Sequence, residues 1–544
     1  MIIYYTMKYN FFNIIVLLKN YFRLKTCFDL KKAFHMLQQN WYNEGNRYIK
    51  WIKNNPKKVF IDFDLFFVLF ILFIFINTNL SMFLFSLFYV FCLRNFLHKK
   101  KTEQVKKPLA LTKRVKRLMI TSSLIYLIPS LIIILTFKEN LLPYYYLVLG
   151  LLSYLNYFVI LISNIINIPV EKAVFRHFYK QAYKKINDMH NLKVVGITGS
   201  YGKTSSKNIL NDILSVKYNT CPSPKNFNTT NGLMITINNH LDKFNDVFIA
   251  EMGAFKRGEI KELCDLVNPK YGILTKVGTA HMDSFGSQEN IQKGKFELIE
   301  SLPEDGVAVL NRDDELQVSY KLKNNCKVIW IGVDNEADVM ATNIKQTSKG
   351  MTFDCIFKGD KTKYKFETRL LGKANIYNIL AGIALGHELG IEINQLVLGV
   401  KKVKSIEHRL ELKKYGDINI IDDAYNSNPV GSKMALDVLK MMPGKKIIVT
   451  PGMIELGNIE DEENTKFGEY MASVCDEVIL IGNKQTKAIQ KGLENKKYDK
   501  KHIHILEDVI DAFPLVNKLK EKETYVLLEN DLPDSFNEKL GGKK

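Results

Sequence analysis

The sequence predicts an α/β protein with a helical transmembrane N-terminal region, a central α/β domain and a Rossmann-like C-terminal domain. Three observations support this fold class. The first third of the 544 residues holds long apolar segments, and a glycine-rich loop follows a strand-like run that ends at residue 198. From residue 191 onward, β-rich runs alternate with amphipathic stretches, which is typical of parallel, helix-covered sheets.

Length and composition set the outer limits of the interpretation. The chain is long enough for about three or four folding units. Its formal charge of +19 is concentrated around the apolar segments and is elsewhere mixed with acids, so no nucleic-acid partner is predicted. The seven cysteines form no C-x-x-C pair, which argues against a disulfide framework or a structural zinc site.

Four apolar segments precede the α/β part: Val59 to Ile76, Leu80 to Phe96, Leu118 to Phe137 and Tyr144 to Ile168. The last two are long enough to span a bilayer. Acidic residues shorten the first segment, and the alternative is a single span through 65–93 in place of the first two.

Positive charge predicts the orientation of these segments. The stretches KNNPKK, HKKKTEQVKKPLALTKRVKR and EKAVFRHFYKQAYKK are all basic, and four spans place all of them on one side. Because basic loops face the cytoplasm, the protein is predicted to be a multi-pass cell-membrane protein whose later domains are cytoplasmic. The N-terminus lacks a cleavable signal pattern, and HMLQQNWYNEGNRYIKWIKNN is interpreted as a helical surface element.

The α/β part contains two blocks of strands. The first block comprises NLKVVGIT, DVFIAEMGA, YGILTKVG and GVAVLN, and the second, from Ile418, comprises INIIDDAYN, KKIIVTPGM, DEVILIG, HIHIL and TYVLLEN. The predicted organisation is a basic segment, a membrane domain, a central domain and a C-terminal domain, at 1–58, 59–168, 190–404 and 405–544.

The sequence GITGSYGKTSSKNIL places a glycine-rich loop between a strand and a helix with Ile209, Ile213 and Val216 on one face. Backbone N–H groups of such a loop bind phosphate, Lys203 balances the β- and γ-phosphate charge, and the Thr204 hydroxyl can hold Mg²⁺. The motif is the shorter G-x-x-G-K-T form, because Ile197 occupies the usual first glycine position. The predicted ATP contacts are Gly199, Ser200, Gly202, Lys203, Thr204 and Ser205.

Further motifs follow the loop in order: SPKNFNTTNG, DVFIAEMGA, VGTAHMDSFGS, KGKFELIE, LLGKANIYN, HRLEL and IIDDAYNSNP. Together they resemble the Mur ligase family from about residue 191 to about residue 500, and within it the members that add D-alanyl-D-alanine to a peptidoglycan precursor. A phosphate-binding loop alone does not separate kinases, GTPases and ligases. The resemblance therefore decides the predicted class.

The resemblance assigns metal ligands and a modified lysine. It implies that Glu251, at the carboxyl end of its strand, binds the Mg²⁺ that accompanies ATP, and the alternative is an ion pair. It implies that His281 binds a second Mg²⁺. It also implies that Lys295 becomes carbamylated, and the resulting anion can bind the second Mg²⁺ together with His281; Lys293 is the alternative position for this lysine.

The same resemblance implies nucleotide contacts from two further regions. Asn375 and Asn378 match the family's segment near adenine, although Ala374 replaces a histidine there. Arg409 and Asp423 would reach the nucleotide from the C-terminal domain, and their alternative is a surface ion pair with an Asx-rich turn. The adjoining residues that match the motif are Tyr425, Asn426, Asn428 and Pro429.

Two departures concern the domain that receives the incoming amine. Pro451 stands where the family has glycine in TPGMIELGN, and Asn464 lies near an expected histidine. The chain also has LLENDLPDSF where the family has a lysine-glycine-serine-arginine loop. The identity of the amine is therefore open.

The implied activity is ATP-dependent amide-bond formation through an acyl phosphate, with Lys203, Lys295 and His281 as catalytic residues and ATP and Mg²⁺ as cofactors. The expected partners are a nucleotide- or lipid-linked cell-wall peptide, an amine or dipeptide, and membrane lipid. The alternatives are a ligase for another envelope polymer and a non-catalytic membrane scaffold. The scaffold predicts eroded catalytic positions, whereas these residues are all present.

Overall fold

The computed structural model describes residues 30–60, 108–136, 151–152, 154–279, 282–347, 349–424, 427–454 and 456–531. It separates into two compact units, Met1–Arg176 and His177–Lys544. The first two predicted apolar segments, His281, Tyr425 and Asn426 lie outside or almost wholly outside the described residues.

The described part of the first unit is helical. Residues 30–39 form a helix, and four further helices are α1 (Arg47–Asn54), α2 (Pro56–Val59), α3 (Lys113–Thr136) and α4 (Asn156–Asn187), the last of which continues into the second unit. The helix that contains the end of the predicted apolar segment at Ile168 runs on through the basic stretch to Asn187.

The predicted surface element in this unit contributes to its core. Tyr48 and Ile52 on α1 are buried in a cluster with Leu37, Leu118 and Ile160. The stretch is helical, as predicted, and one of its faces belongs to this core. Polar side chains such as Lys50 and Lys53 stay exposed, as does Trp41, which is 40% exposed.

Helices α3 and α4 meet along a seam of polar side chains. The Ser122 and Ser163 hydroxyls are 2.9 Å apart, and the Thr121 hydroxyl donates to Asn167 Oδ1 at 3.0 Å. Near the end of the seam, Arg117 binds both carboxylate oxygens of Glu171 at 2.7 Å. Hydrogen bonds of this kind hold apolar helices together where their surroundings offer no other partners.

The outer faces of the two helices are apolar. On α3, Leu124, Leu131 and Leu135 are between 51% and 73% exposed. Among the described residues, α4 is the one helix long and apolar enough to cross a membrane, with a mean hydropathy of 1.6 over its best window, of which 28% is buried. The prediction of four spans is not confirmed.

The second unit contains a nine-stranded sheet in the order β2-β3-β1-β4-β5-β6-β7-β8-β9. The strands are β1 (Lys193–Thr198), β2 (Thr220–Pro222), β3 (Val247–Glu251), β4 (Tyr271–Leu274), β5 (Val307–Asn311), β6 (Lys327–Gly332), β7 (Val339–Thr347), β8 (Gly350–Phe357) and β9 (Tyr364–Thr368). Strands β7, β8 and β9 pair antiparallel. The prediction of a parallel sheet is therefore wrong at this end, because the half-exposed alternation of β7 was not recognised as a strand.

Helices of this domain cover the sheet and bury its apolar side chains. They are α5 (Lys203–Leu214), α6 (Thr230–Asn239), α7 (Glu259–Val267), α8 (Met282–Phe285), α9 (Gln288–Glu300), α10 (Glu315–Val318), α11 (Lys373–Glu388) and α12 (Ile393–Lys402). Ile209 and Ile213 of α5 are buried in the main core, as expected, whereas Val216 follows the end of the helix.

A second sheet of six strands has the order β10-β11-β15-β12-β13-β14. Its strands are β10 (Glu411–Tyr415), β11 (Ile418–Asp423), β12 (Lys445–Thr450), β13 (Glu477–Ile481), β14 (Ile503–Leu506) and β15 (Thr524–Glu529). Only β10 pairs antiparallel. Its helices are α13 (Pro429–Lys440), α14 (Glu460–Met471), α15 (Lys487–Asn495) and α16 (Ala512–Leu519). This arrangement matches the predicted Rossmann-like domain.

Candidate active site

The glycine-rich loop connects β1 to α5 at the carboxyl end of the sheet. Gly199 and Gly202 have φ angles of +149° and +80°, and a Cβ at position 199 would collide with the Thr275 hydroxyl. Backbone N–H groups of Ser200 and Tyr201 donate to the Lys276 carbonyl at 2.9 and 3.3 Å. The loop is therefore fixed against the chain that follows β4, with the helix N-terminus behind it.

Lys203 is folded onto the loop that precedes it. Its Nζ donates to the Gly199 carbonyl at 2.8 Å and to the Ser200 carbonyl at 3.3 Å. The side chain keeps some solvent contact, but the ammonium group is enclosed. Burial lowers the pKa of Lys203 to about 8, against the opposing charge of Glu251 and with a smaller contribution from Arg409. An enclosed cation at a helix N-terminus suits an anionic ligand such as a phosphate.

The structure brings Thr204 and Glu251 together. The Thr204 hydroxyl donates to Glu251 Oε1 at 3.0 Å, and the Asn228 amide donates to the same oxygen at 3.1 Å. The Ser223 hydroxyl accepts a hydrogen bond from the Glu251 backbone N–H at 3.2 Å. The two predicted Mg²⁺ ligands, Thr204 and Glu251, thus form one node of contacts. Ser223 and Asn228 of the predicted loop SPKNFNTTNG also belong to this node.

Sequence reasoning missed Lys207. Its Nζ lies 2.9 Å from Glu251 Oε2, and both side chains are 1% exposed. Lys207 also donates to the Lys225 carbonyl. The sequence signal that could have identified Lys207 is its position. It follows Lys203 by four residues and lies on the apolar face of an amphipathic helix.

The donor set at this node fits a magnesium ion. A hydroxyl and a carboxylate are the oxygen ligands that Mg²⁺ prefers. Glu251 Oε2 is buried and, apart from its proximity to Lys207, has no well-aligned hydrogen bond in the described part of the protein. No cluster of three His, Cys, Asp or Glu residues lies within the described ranges, so any further ligands would come from ATP, water or the undescribed His281.

Lys295 lies on α9 and is 1% exposed. Its Nζ donates to the Ala254 carbonyl at 3.3 Å and lies 5.3 Å from the centre of the Phe285 ring. Burial lowers the pKa of Lys295 to about 7, and the positive charge of Lys203 adds to this effect. Lys293, the alternative candidate for carbamylation, is 42% exposed, and its Nζ lies 2.6 Å from Glu289 Oε1. The two lysines therefore have opposite environments, and the enclosed one is Lys295.

A cleft of about 530 Å³ opens between the loop and the C-terminal domain. Ser205, Asn375 and Asn378 line it from the central domain. The Asn375 amide donates to the Leu371 carbonyl at 2.8 Å, and Asn378 Oδ1 would be 3.5 Å from a Cβ at Gly202. Ala374 lines the same wall, so the missing histidine leaves space inside the cleft.

Arg409 and Asp423 line the opposite wall of this cleft. The Leu410 backbone N–H donates to Asp423 Oδ1 at 3.1 Å, and Asp423 aligns with Glu529 on the neighbouring strand. Burial raises the pKa of Asp423 to about 6, with Arg409 opposing the shift. The two predicted residues therefore face the cleft from the C-terminal domain, as expected.

Glu529 lies in the LLENDLPDSF stretch, which stands where the family has a lysine-glycine-serine-arginine loop. It is fully buried, and the Ser427 hydroxyl donates to its Oε1 at 2.7 Å. Burial is the main cause that raises the pKa of Glu529, and the charge of the adjacent Asp423 adds to the shift. Two carboxyl groups therefore meet at this wall, Asp423 facing the cleft and Glu529 buried behind it, and sequence analysis did not anticipate the pair.

The departure at Asn464 is explained by hydrogen bonds to the TPGM loop. The Asn464 side chain accepts from the Met453 N–H and donates to the Met453 carbonyl, both at 2.9 Å. Asn530 donates to the Gly452 carbonyl at 2.6 Å. Asn464 is buried and holds the loop in place, so it does not line the cleft.

An enclosed phosphate loop facing a second α/β domain across a cleft defines a nucleotide-binding enzyme of the two-domain ligase type. The sequence matches the Mur ligase middle domain over residues 197–386 and the Mur ligase glutamate ligase domain over 408–529. The chain belongs to the Mur ligase family of ATP-dependent ligases, and the scaffold alternative is not supported.

The chain is similar to two enzymes called UDP-N-acetylmuramoyl-tripeptide–D-alanyl-D-alanine ligase. The one from Bacillus subtilis is 31% identical over 326 residues, which are 59% of this chain and 69% of that protein. The one from Escherichia coli is 32% identical over 301 residues, which are 55% of this chain and 66% of that protein. The resemblance seen in the motifs is thereby confirmed.

Solved structures share the fold. MurF from Acinetobacter baumannii has a TM-score of 0.60 at 24% identity, over 67% of this chain and 79% of that chain. MurF ligase from Thermotoga maritima in complex with ADP has a TM-score of 0.59 at 24% identity, over 66% of this chain and 80% of that chain. These likenesses support the α/β architecture described above.

Proposed function

We propose that this enzyme joins D-alanyl-D-alanine, or a related amine, to the terminal carboxylate of a peptidoglycan precursor peptide. The observation that carries the proposal is the node of Thr204 and Glu251 beside Lys203, in a chain 31% identical to a D-alanyl-D-alanine-adding ligase over 326 residues. The substrate carboxylate would attack the γ-phosphate of ATP to give an acyl phosphate and ADP. The amine would then displace phosphate and leave an amide.

Both reactants of the first step are anionic, so the site must hold negative charges together. Lys203 lies at the helix N-terminus, where its ammonium group can move from the loop carbonyls to the phosphates. Thr204 and Glu251 would hold Mg²⁺, which supplies positive charge to the triphosphate when bound. His281 is proposed for a second Mg²⁺. Fixed positive groups stabilise charge that develops during phosphoryl transfer.

Lys295 is proposed to act as a carbamate. Its neutral amine, the form that reacts with CO₂, is well populated near neutral pH because burial lowers the pKa of this lysine to about 7. The reaction forms an N–C bond and releases one proton, which yields an anion suited to a metal or to a cationic partner. The exposed Lys293 lacks this environment.

Arg409 and Asp423 are proposed to contact the nucleotide together with Asn375 and Asn378. All four line the cleft, although Arg409 and Asp423 belong to the other domain. A movement of the two domains would therefore change the nucleotide contacts, as in enzymes that close over their substrates.

The test of the proposed reaction is a screen for amine-dependent ADP release. Purified enzyme, ATP, Mg²⁺ and a UDP-linked muramoyl tripeptide are incubated with D-alanyl-D-alanine, single amino acids or other dipeptides. We expect ADP release only with both peptide and amine, and most with D-alanyl-D-alanine. ADP release that no amine stimulates would contradict the proposal.

We further propose that the enzyme is a multi-pass membrane protein with cytoplasmic catalytic domains, acting on a membrane-associated acceptor. The apolar outer faces of α3 and α4 support this location, and basic stretches flank them. The described residues before β1 are helical, and the family match begins at residue 197. A membrane that concentrates a lipid-linked acceptor could therefore contribute substrate binding.

The acceptor test compares the full chain in nanodiscs with a version that starts near Glu171. Each is given a soluble UDP-linked peptide and a lipid-linked peptide. A preference of the full chain for the lipid-linked peptide would support the membrane-associated acceptor. Equal turnover of the soluble peptide by both versions, with no lipid preference, would leave the anchor as a means of localisation only.

A further inference from the structure

Lys207 is a fully enclosed cation next to the proposed metal ligand. Its Nζ lies 2.9 Å from Glu251 Oε2, and each of the two side chains is 1% exposed. Burying an ammonium group and a carboxylate is unfavourable unless the charges are paired. The pair therefore neutralises Glu251 in the absence of a metal ion.

The position of Lys207 is fixed from two sides. It follows Lys203 by one turn of α5, on the buried face of that helix. Its Nζ also donates to the carbonyl of Lys225, a residue with a φ of +48° in the loop that carries Asn228. A long side chain held at both ends keeps its charge at Glu251 Oε2, while Thr204 and Asn228 occupy Oε1.

The charges around this carboxylate are mainly positive. Lys203 interacts electrostatically with Glu251, and Lys207 pairs with it directly, so two cationic groups face the carboxylate from α5. A free divalent cation entering this site meets repulsion from the lysines and a carboxylate that is already paired. ATP brings several negative charges, which reverse the local balance.

We propose that Lys207 is the internal counter-ion of Glu251, so that Mg²⁺ binds only together with the nucleotide. The inference rests on the proposed function, because it takes Glu251 as a ligand of the ATP-bound metal. Lys207 is a positioning residue, since it acts through Glu251. It would prevent the empty site from capturing a metal ion that blocks entry of the complex between Mg²⁺ and ATP.

The experiment measures Mn²⁺ binding to the full-length protein in nanodiscs by electron paramagnetic resonance, with and without a non-hydrolysable ATP analogue. Lys207→Gln removes the charge but keeps a donor, and Lys207→Arg keeps the charge and serves as the matched control. Without nucleotide, we expect Lys207→Gln to bind Mn²⁺ at least about tenfold more tightly than wild type, because a nearby repulsive charge is gone. The Arg variant should resemble wild type.

Several outcomes would overturn the inference. A folded Lys207→Gln variant with wild-type affinity for Mn²⁺ would show that Lys207 serves only packing. If that variant does not fold, the wild-type measurement still tests the inference, because tight Mn²⁺ binding by wild type without nucleotide would contradict the counter-ion role. Wild type that binds no Mn²⁺ even with the analogue would instead reject the proposed metal site, and the inference with it.

Discussion

The Thr204 hydroxyl donates a hydrogen bond to Glu251 Oε1 at 3.0 Å, although 47 residues separate them in the sequence. The first residue opens the helix behind the phosphate loop, and the second ends the neighbouring parallel strand β3. Strand order, with β3 beside β1, produces this contact. Two motifs that the sequence presents separately thus form one site.

Replacing Lys203 with alanine should nearly abolish ATP turnover. The ammonium group would contact the triphosphate more strongly in the transition state than in the ground state, so its loss should cost at least about 3 kcal/mol, or roughly a hundredfold in rate. The measurement is steady-state ADP release, with circular dichroism as the control for folding. Near-normal turnover would remove Lys203 from the mechanism.

Replacing Lys295 with alanine should strongly reduce activity, and a short carboxylate such as acetate should partly restore it. At pH 7 about half of the Lys295 amines are neutral if their pKa is about 7, so carbamate formation should increase with CO₂. Lys293→Ala is the matched control and should stay within about twofold of wild type, because that side chain is exposed. Full activity of wild type with CO₂ excluded would argue against the carbamate.

Replacing Glu529 with glutamine should change the pH dependence of stability. The pKa of Asp423 is raised to about 6, so the folded protein holds a proton that the unfolded chain releases near its ordinary value of 3.8. Stability should therefore fall as pH rises from about 4 to about 6 and remain lower above that range. The pKa of Glu529 is also raised, by burial and by the adjacent Asp423, so this carboxyl adds to the fall, and Glu529→Gln should flatten the profile by removing that contribution.

Thermal unfolding between pH 5 and pH 8 checks this expectation. At pH 8 we expect the Tm of Glu529→Gln to lie about 2–4 °C above that of wild type, with a smaller difference at pH 5. Glu523→Gln, at an exposed carboxylate just before β15, is the control and should leave the profile unchanged. Parallel profiles for wild type and Glu529→Gln would show that Glu529 does not contribute to the pH dependence of stability.

Replacing Ala374 with histidine should strengthen ATP binding. Ala374 lines the cleft beside Asn375 and stands where the resemblance to the family motif implies a histidine. One added hydrogen bond contributes about 1 kcal/mol, so the KM for ATP should fall by roughly fivefold while kcat changes little. An unchanged KM would place the base of the nucleotide elsewhere.

The fold and much of the site could be predicted where the information is local. The phosphate loop is a strand, glycines, a lysine and a helix in direct succession, and the structure has that order between β1 and α5. Five of the six strands of the C-terminal sheet also follow from their apolar runs, whereas β10 is mostly polar and was missed. In the central sheet β2, β6 and the antiparallel strands β7 to β9 were missed; the outer half of β7, for example, is partly exposed and lacks a continuous apolar run.

Lys207 and Glu529 show the opposite case. Each is a charged residue that composition assigns to the surface, and each is buried because of a partner from a distant segment. Pairing of this kind depends on strand order and helix position, which single-sequence patterns do not contain.

The enclosed lysines of the phosphate loop have a consequence for handling the protein. The ammonium group of Lys203 donates to the Gly199 carbonyl of its own loop. Lys295 is buried, and burial together with the charge of Lys203 lowers its pKa to about 7. A nucleotide relieves this self-repulsion, and a ligand present at a hundred times its Kd adds about 2.7 kcal/mol to stability. Protease resistance and shelf life of the purified enzyme should therefore follow the ATP content of its buffer.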